Sequence, residues 1–595
     1  VTFTVDEEGL PLHTDARITI RPRLFLEGNF FLDLRPGSPS APVLDDGADI
    51  PVTQTATAVQ LDQLLTSLQK PDRANLARLL DGYGSALDDE PENPDPTMEP
   101  GVGSLSGAQA INKSFTYGGE AGKGSSQVSQ ALLGEQAGDL RDLISSSGRV
   151  FSELASRESE LRDLITNRIP GREPKHPDVR RLADAAGLDT GQTGAAAAVA
   201  SADPLVIVEG AAGSGKTTML ATAIQAANER GGVVRVVAPT KKAANVAHQA
   251  LGVPADSVAA LVHAHGYRWN RDGVWTRLTP GDLDPETGRT HNGPPETARL
   301  LVGERIVVDE AGMLDQDSAL ALFTVAAEAG ATLALVGDRA QLPAVGRGGV
   351  LDMAAQIRGR TVDMAEVHRF TDPAYAEISI RLRSRDDPAR IFEQLQNLGL
   401  IQLHADTDEL HERIATQRGD GQAVTVATND DATRLNARIR DERVRAGAVD
   451  DSATTTGSDG LPLGRGDLIQ TRKNDTSLNV ANRQQWIVQH VEADGTVWAV
   501  ETDNGRKRDH SVRLPATYIS DHAHLAYAST AYGVQGATVP VSHTILTDAL
   551  SGAAVYVGMT RGKDENRLHI IADDLAEARE QFIDAMERDR ADRGL

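Results

Sequence analysis

The run Gly210-Ala211-Ala212-Gly213-Ser214-Gly215-Lys216-Thr217 has the residue types and spacing to hold a polyphosphate. Its glycines let backbone N–H groups crowd around phosphate oxygens, and a helix opening at Lys216 adds the favourable end of its dipole. Lys216 then meets the β- and γ-phosphates, the Thr217 hydroxyl is placed for Mg²⁺, and Thr218 beside it is counted among the nucleotide-binding residues. About 90 residues later the apolar run Ile306-Val307-Val308 ends in Asp309-Glu310. Asp309 is placed to hold Mg²⁺ through water, and Glu310 to orient or deprotonate an attacking water. Taken singly, the first motif could be a plain Gly-rich turn and the second a strand ending in two acids. In this order and spacing they point to hydrolysis of a nucleoside triphosphate.

Such residues need parallel strands to carry them. Short β-branched runs at 205–208, 233–237, 306–308 and 333–336 alternate with helical patterns, and a second series follows at 424–427, 544–546 and 568–571. They read as buried strands of α/β sheets. Between members of the second series, about 465–519 is strand-rich with turns at Asp494-Gly495 and Asn504-Gly505, which predicts a small inserted β-barrel. The Pro- and Gly-rich stretch 279–295 reads as a surface loop. The first 167 residues differ in style. Alternation predicts strands at 1–5, 16–20 and 30–34, then a helix through Leu61, Leu64, Leu65 and Leu68, a flexible linker at about 88–127, and helical spacing from Leu132 to Ile165.

Composition narrows the functional classes. A chain of 595 residues is long enough for roughly four domains. It has no cysteine, which removes disulfides, thiolate metal sites and cysteine nucleophiles together. No apolar run of membrane-spanning length occurs, the first residues are no export signal, and a cytoplasmic location is expected. The opening at Val1 rather than Met points to a longer parent. A net charge of −25 argues against general adhesion to nucleic acid but leaves room for a local basic groove.

Further motifs follow in order. They are Ala238-Pro239-Thr240-Lys241-Lys242-Ala243-Ala244, then Gly337-Asp338-Arg339-Ala340-Gln341-Leu342-Pro343, then Glu366-Val367-His368-Arg369-Phe370. Downstream lie Asn429-Asp430-Asp431, the stretch 474–486, Tyr527-Ala528-Ser529-Thr530-Ala531-Tyr532-Gly533-Val534-Gln535-Gly536 and Tyr556-Val557-Gly558-Met559-Thr560-Arg561. Together with the phosphate loop they resemble superfamily 1 helicases, nearest the RecD-like helicase half of TraA/TraI-type conjugative relaxases. The resemblance implies tandem RecA-like lobes, at 168–372 and 373–595, with an SH3-like insert. ATP and Mg²⁺ would be its cofactors. Gln192 would contact adenine, Gln341 would sense the γ-phosphate, and Arg369 and Arg561 would act as arginine fingers. Gln535 would sit at the cleft between the lobes. Single-stranded DNA would run across both lobes, with movement 5′→3′. Thr240, Lys241, His263 and Thr530 would contact its backbone, and Tyr267, Trp269, Phe370 and Tyr532 would stack on its bases. Conjugation proteins would be partners. The nicking half is expected to be missing, since His263-Ala264-His265 and His522-Ala523-His524 fall inside the helicase region, without the third histidine and the tyrosine nucleophile of an N-terminal nickase domain.

The first 167 residues resemble the back half of an MCE (MlaD-like) domain, a truncated β segment at 1–56 and a helical region at 57–167. The resemblance rests on Ala16-Arg17-Ile18-Thr19-Ile20-Arg21-Pro22-Arg23, on Leu32-Asp33-Leu34-Arg35-Pro36-Gly37 and on Ile50-Pro51-Val52-Thr53-Gln54-Thr55. That family handles lipids at the cell envelope, so membrane or lipid would be a partner if this segment works. The junction at Asn167–Arg168 reads as a fusion of fragments. Two other functions stay open: an envelope lipid-binding protein, and a degenerate motor that binds ATP and DNA without unwinding.

Overall fold

A computed structural model describes residues 12–14, 16–22, 30–35, 41–44, 55–57, 156–171, 175–269, 275–344, 346–475, 477–503 and 506–588. Those of Val1–Glu160, with Tyr267–His291, make one unit, and Leu161–Gly266 with Asn292–Gly594 makes another.

In the first unit, β1 (Arg17–Pro22) pairs antiparallel with β2 (Phe30–Arg35) and parallel with β3 (Thr55–Thr57). The strands expected at 16–20 and 30–34 are therefore present. The strand at 1–5 and nearly all of the helical and linker region at 57–167 lie outside the described residues.

The second unit carries two parallel sheets. In the first lobe β4 (Leu205–Gly210), β5 (Val234–Ala238) and β6 (Ala255–Ser257) precede a hairpin that belongs to the first unit, β7 (Tyr267–Trp269) with β8 (Trp275–Arg277). The lobe resumes with β9 (Arg305–Val308), β10 (Thr332–Gly337) and β11 (Val362–Met364). Sheet order is β11-β4-β10-β9-β5-β6, every pairing parallel. Strands β4 and β9 are buried along their whole length, which is why they read as unbroken apolar runs. Helices α1 (Thr190–Val199) and α2 (Lys216–Asn228) pack on this sheet through Ala195, Ala196, Met219, Leu220 and Ala223. Upstream of residue 168, Leu161 and Ile165 are already fully buried, and Arg168 donates to the Ala331 carbonyl at 2.8 Å.

The second lobe is built on β12 (Ile401–His404) and β13 (Ala423–Val426). After helix 429–445 come β14 (Asp450–Thr456) and β15 (Pro462–Arg465), an antiparallel pair. The predicted barrel region is a five-stranded antiparallel sheet of β16 (Leu468–Thr471), β17 (Gln485–Val491), β18 (Val497–Asp503), β19 (Arg506–Leu514) and β20 (Ala523–Leu525). Gly495, at φ +83°, makes the expected turn between β17 and β18. The chain then returns to lobe 2 as β21 (Ser529–Thr530), β22 (Val539–Ile545) and β23 (Gly562–Ile571), giving the parallel order β12-β23-β22-β13-β21. Trp486, Val488 and Val497 of the inserted sheet share one apolar core with Leu410, Ile414, Leu435 and Ile439 of lobe 2.

A file of histidines crosses the lobe-2 sheet. His404 Nε2 meets His569 Nδ1 at 2.9 Å, His569 Nε2 meets His543 Nδ1 at 2.9 Å, and His543 Nε2 meets Gln422 Oε1 at 3.0 Å. One neutral pattern, Nε2–H on every ring, satisfies all three bonds. Burial and the neighbouring rings hold His569 well below the ordinary range, while burial and the guanidinium of Arg567 bring His543 down to about 4. The unfolded chain takes up protons as pH falls through about 6.5, and the folded chain does so only near 4. This contribution is complete above pH 6.5 and drains away as pH falls toward 4, about 3 kcal/mol for His543 alone. The thermal unfolding midpoint is expected to drop steeply between pH 7 and pH 5, and a flat midpoint across that window would refute the assignment.

Candidate active site

The phosphate loop leaves β4 and enters α2. Gly213 and Gly215 have φ +85° and +76°, which side chains adopt only with strain. Space adds a second constraint. A Cβ on Gly213 would stand 2.3 Å from Cβ of Arg369, and one on Gly215 would stand 2.3 Å from Nε2 of Gln192. The loop is thus clamped between α1 and the segment that joins the lobes, where the His368 N–H also donates to the Gly213 carbonyl at 2.9 Å.

Lys216 Nζ donates to the carbonyls of Gly210 and Ala211 at 2.8 and 3.2 Å, and Ser214 Oγ is buried with no protein partner. A short, close-packed loop with an unsatisfied hydroxyl and a lysine turned onto its own carbonyls fits a polyphosphate ligand. Thr217 is exposed beside it, and Thr218 follows. Gln192 is buried, with its amide spent: Oε1 accepts the Asp189 N–H and Nε2 donates to the Ser214 carbonyl, both at 2.9 Å. It braces the loop.

At the end of β9, Asp309 is lifted to about 6 by burial and by the Glu310 carboxylate, with Lys216 acting in the opposite direction. Two adjacent carboxylates so placed fit a divalent cation, which would reverse that shift. Glu310 stands at φ +55°, a conformation costly for a residue with a side chain. Nothing in the sequence signalled that twist, which re-aims the carboxylate as the strand ends.

Opposite the loop, Arg561 is 2% exposed and donates to the Val557 carbonyl at 2.8 Å and to Thr560 Oγ1 at 3.1 Å. Arg369 donates to the Thr560 carbonyl at 2.6 Å. Burial and the nearby Arg369 bring Arg561 down to about 9. A buried guanidinium and a half-buried one beside it, both bonded only to neutral groups, mark a place for an anion. Gln341 Nε2 donates to Asp338 at 3.3 Å, and Gln535 of lobe 2 donates to Gln341 Oε1 at 3.4 Å, so these two glutamines bridge the lobes.

These groups line a cavity of about 950 Å³. Its basic side chains are Lys216, Lys242, Arg369, Arg418, Arg443, Arg483, Arg508, Arg561 and Lys563, against Asp309, Glu310, Asp420 and Glu501. The wall is basic although the chain is acidic. Beyond the phosphate loop it runs past Thr240, Lys242 and Val246 of α3 (Lys241–Leu251), Arg483 of the inserted sheet, and Tyr532. Arg483 lies over the Tyr532 ring at 5.9 Å.

Several residues singled out in the sequence stand elsewhere. Lys241 is paired with Asp256 at 2.8 Å, while its neighbour Lys242 lines the cavity. Phe370 packs edge-to-face on Tyr375, ring centres 5.0 Å apart, against the lobe-2 core. Thr240 caps α3 and also lines the cavity, and Thr530 is half-buried where β21 ends. His263 is half-buried near the end of helix Val258–Ala264. In the first unit, Tyr267 and Trp269 flank Trp275 across the hairpin, at 6.1 and 4.8 Å. His524 spends both ring nitrogens, on Arg472 and the Leu525 carbonyl.

Three features escaped the sequence reading: the bridging hydroxyl of Tyr556, Asp338, which receives it at 2.8 Å, and Arg383, whose Nε donates to Asp338 at 2.9 Å. Tyr556 and Asp338 lie inside quoted motifs, but Arg383 sits in an ordinary helix, 373–384, that offers no signal.

A probable conjugal transfer protein TraA of Sinorhizobium fredii is 25% identical over 379 residues, 62% of this chain and 31% of its own length. A conjugal transfer protein TraA of Agrobacterium fabrum is 27% identical over 395 residues, 64% of this chain and 32% of its own. The chain thus spans about a third of the length of these relatives. Solved structures similar to it include a Pif1 helicase from Bacteroides in complex with ADP-AlF3 and ssDNA (18% identity, 62% of this chain and 89% of that one, TM-score 0.40) and a Pif1 helicase from Candida albicans (16%, 67% and 96%, TM-score 0.43). The loop, the Asp309-Glu310 strand end and the joining segment with Arg369 all fall within residues 187–406, the stretch that matches the AAA_30 family, an AAA domain.

Proposed function

We propose that this chain is an ATP-dependent helicase or translocase on single-stranded DNA, of the conjugative relaxase-helicase type, moving 5′→3′. The observation that carries it is the buried Arg561 with the half-buried Arg369, neither paired to an acid among the described residues, on the same cavity as a phosphate loop and with the basic wall continuing well past that loop. Lys216, Gln341, Arg369 and Arg561 stabilise the transferring phosphoryl group, and Glu310 positions water. Thr217 and Asp309 would hold Mg²⁺, which neutralises phosphate charge when bound. Lys242, Arg483 and Tyr532 offer backbone charge and one stacking ring to a DNA strand. Closing the lobes on ATP and opening them after hydrolysis would step that strand. Conjugation proteins are the natural partners of such a motor. The alternative, an MCE-type lipid handler, rests on residues 1–167 and gains only a three-stranded sheet from the described part.

Steady-state ATP hydrolysis with and without single-stranded DNA tests the proposal. DNA is expected to raise turnover, and Lys216→Ala to cut it by about 10²-fold, as expected for a group aimed at transition-state charge. Turnover indifferent to both DNA and Lys216→Ala would refute it. Partial duplexes with a single-stranded tail on either end then read the direction.

A further inference from the structure

We propose that Tyr556 is a positioning residue for this ATPase, its hydroxyl coupling closure of lobe 2 onto the phosphate loop to the placement of both arginines; the inference rests on the ATPase reading above. Tyr556 lies on the wholly buried helix Gly552–Gly558 of lobe 2 and is itself 1% exposed. Its Oη accepts the Ala212 N–H of the loop at 2.9 Å and donates to Asp338 Oδ2 of lobe 1 at 2.8 Å. Arg383 of lobe 2 donates to the other oxygen of Asp338. The same tyrosine is tied to the arginines through its backbone. Thr560 Oγ1 donates to the Tyr556 carbonyl at 2.7 Å and accepts from Arg561, while the Thr560 carbonyl accepts from Arg369. One residue therefore touches the loop through its side chain and, through its backbone carbonyl a single helical turn from Thr560, meets the seat of both guanidiniums.

The energetic consequence is selective. With the lobes apart, water satisfies the Ala212 N–H and Asp338. With them closed, the Ala212 N–H is left to the tyrosine hydroxyl, which also gives Asp338 Oδ2 its shortest bond beside the weaker one from Gln341, so its removal penalises the closed state alone. Binding of ADP, which does not require the arginines to engage a transferring group, is unaffected, and binding in the transition state suffers.

The test is Tyr556→Phe in the full chain beside wild type and Lys216→Ala, reading kcat, KM and the affinities for ADP and for ADP with aluminium fluoride. The expected result is a kcat lowered about tenfold or more with ADP affinity unchanged, and a matching loss of affinity for the aluminium fluoride complex. Wild-type kcat in Tyr556→Phe overturns the proposal, as does an equal loss of ADP affinity, which marks a merely structural role. If wild type is no faster than Lys216→Ala, the ATPase reading falls and takes this inference with it. Should Tyr556→Phe not fold, Asp338→Asn, which keeps the shape and weakens the same bridge, is judged by the same criteria.

Discussion

Arg561→Ala and Arg369→Ala are each expected to lower ATP turnover by about 10³–10⁵-fold while ADP still binds. Each guanidinium is held by neutral oxygens, Val557 and Thr560 for Arg561 and Thr560 for Arg369, so its orientation is fixed before substrate arrives. Neither forms an ion pair with an acid among the described residues; desolvation disfavours both charges in the absence of an anion, and Arg369 adds to that for Arg561. An incoming γ-phosphate relieves that cost most when its charge is greatest, in the transition state. Lysine at 561 is not expected to rescue, because a single ammonium cannot keep the backbone bonds and reach the phosphate at once. Single-turnover hydrolysis beside equilibrium ADP binding checks this, and a loss smaller than tenfold at both positions would sink the finger assignment.

Glu310→Gln is the second large effect. The amide keeps the size and the φ +55° backbone of this position but cannot take a proton from water. Hydrolysis is expected to fall by about 10²–10⁴-fold with ATP binding retained. Glu310→Gly adds a useful contrast: it relieves the backbone strain and removes the carboxylate, so it is expected to be at least as slow although its loop is relaxed. If Glu310→Gln turned over like wild type, the attacking water would have to be activated elsewhere, and Asp309 alone would remain as the acidic element of the site.

How much of this was readable in the chain depends on the distance over which each feature is determined. The phosphate loop and the Asp309-Glu310 strand end are local, and their strands are buried on both faces, so residue type and spacing announced them. The seven short apolar runs all became parallel strands for the same reason. Marginal strands such as β6, β11 and β21 have two or three residues and carry no period to detect. Side-chain destinations were less legible. Lys241 and Lys242 are adjacent and alike, and only the phase of α3 sends one to Asp256 and the other to the cavity wall. Phe370 looks like a stacking ring until Tyr375, one turn into the next helix, is seen to pack on it. Gln192 reads as an adenine contact, yet its amide is spent on Asp189 and Ser214, which local sequence does not reveal. The bridge from Tyr556 to Ala212 spans 344 positions of chain and can only be seen once the lobes are assembled.

The apolar core shared by the inserted sheet and lobe 2 makes the insert a poor candidate for a removable cassette. Excising it would take Trp486, Val488 and Val497 out of the core they share with Leu435 and Ile439, leaving the helix that opens after β13 with part of its apolar face uncovered. Insert and host are therefore bound to vary together: a larger side chain on one face requires a smaller one on the other. Sequence drift in this part of the molecule is expected to run in compensated pairs across that boundary, and grafting the insert into a foreign lobe would carry over the strands without the floor on which they stand.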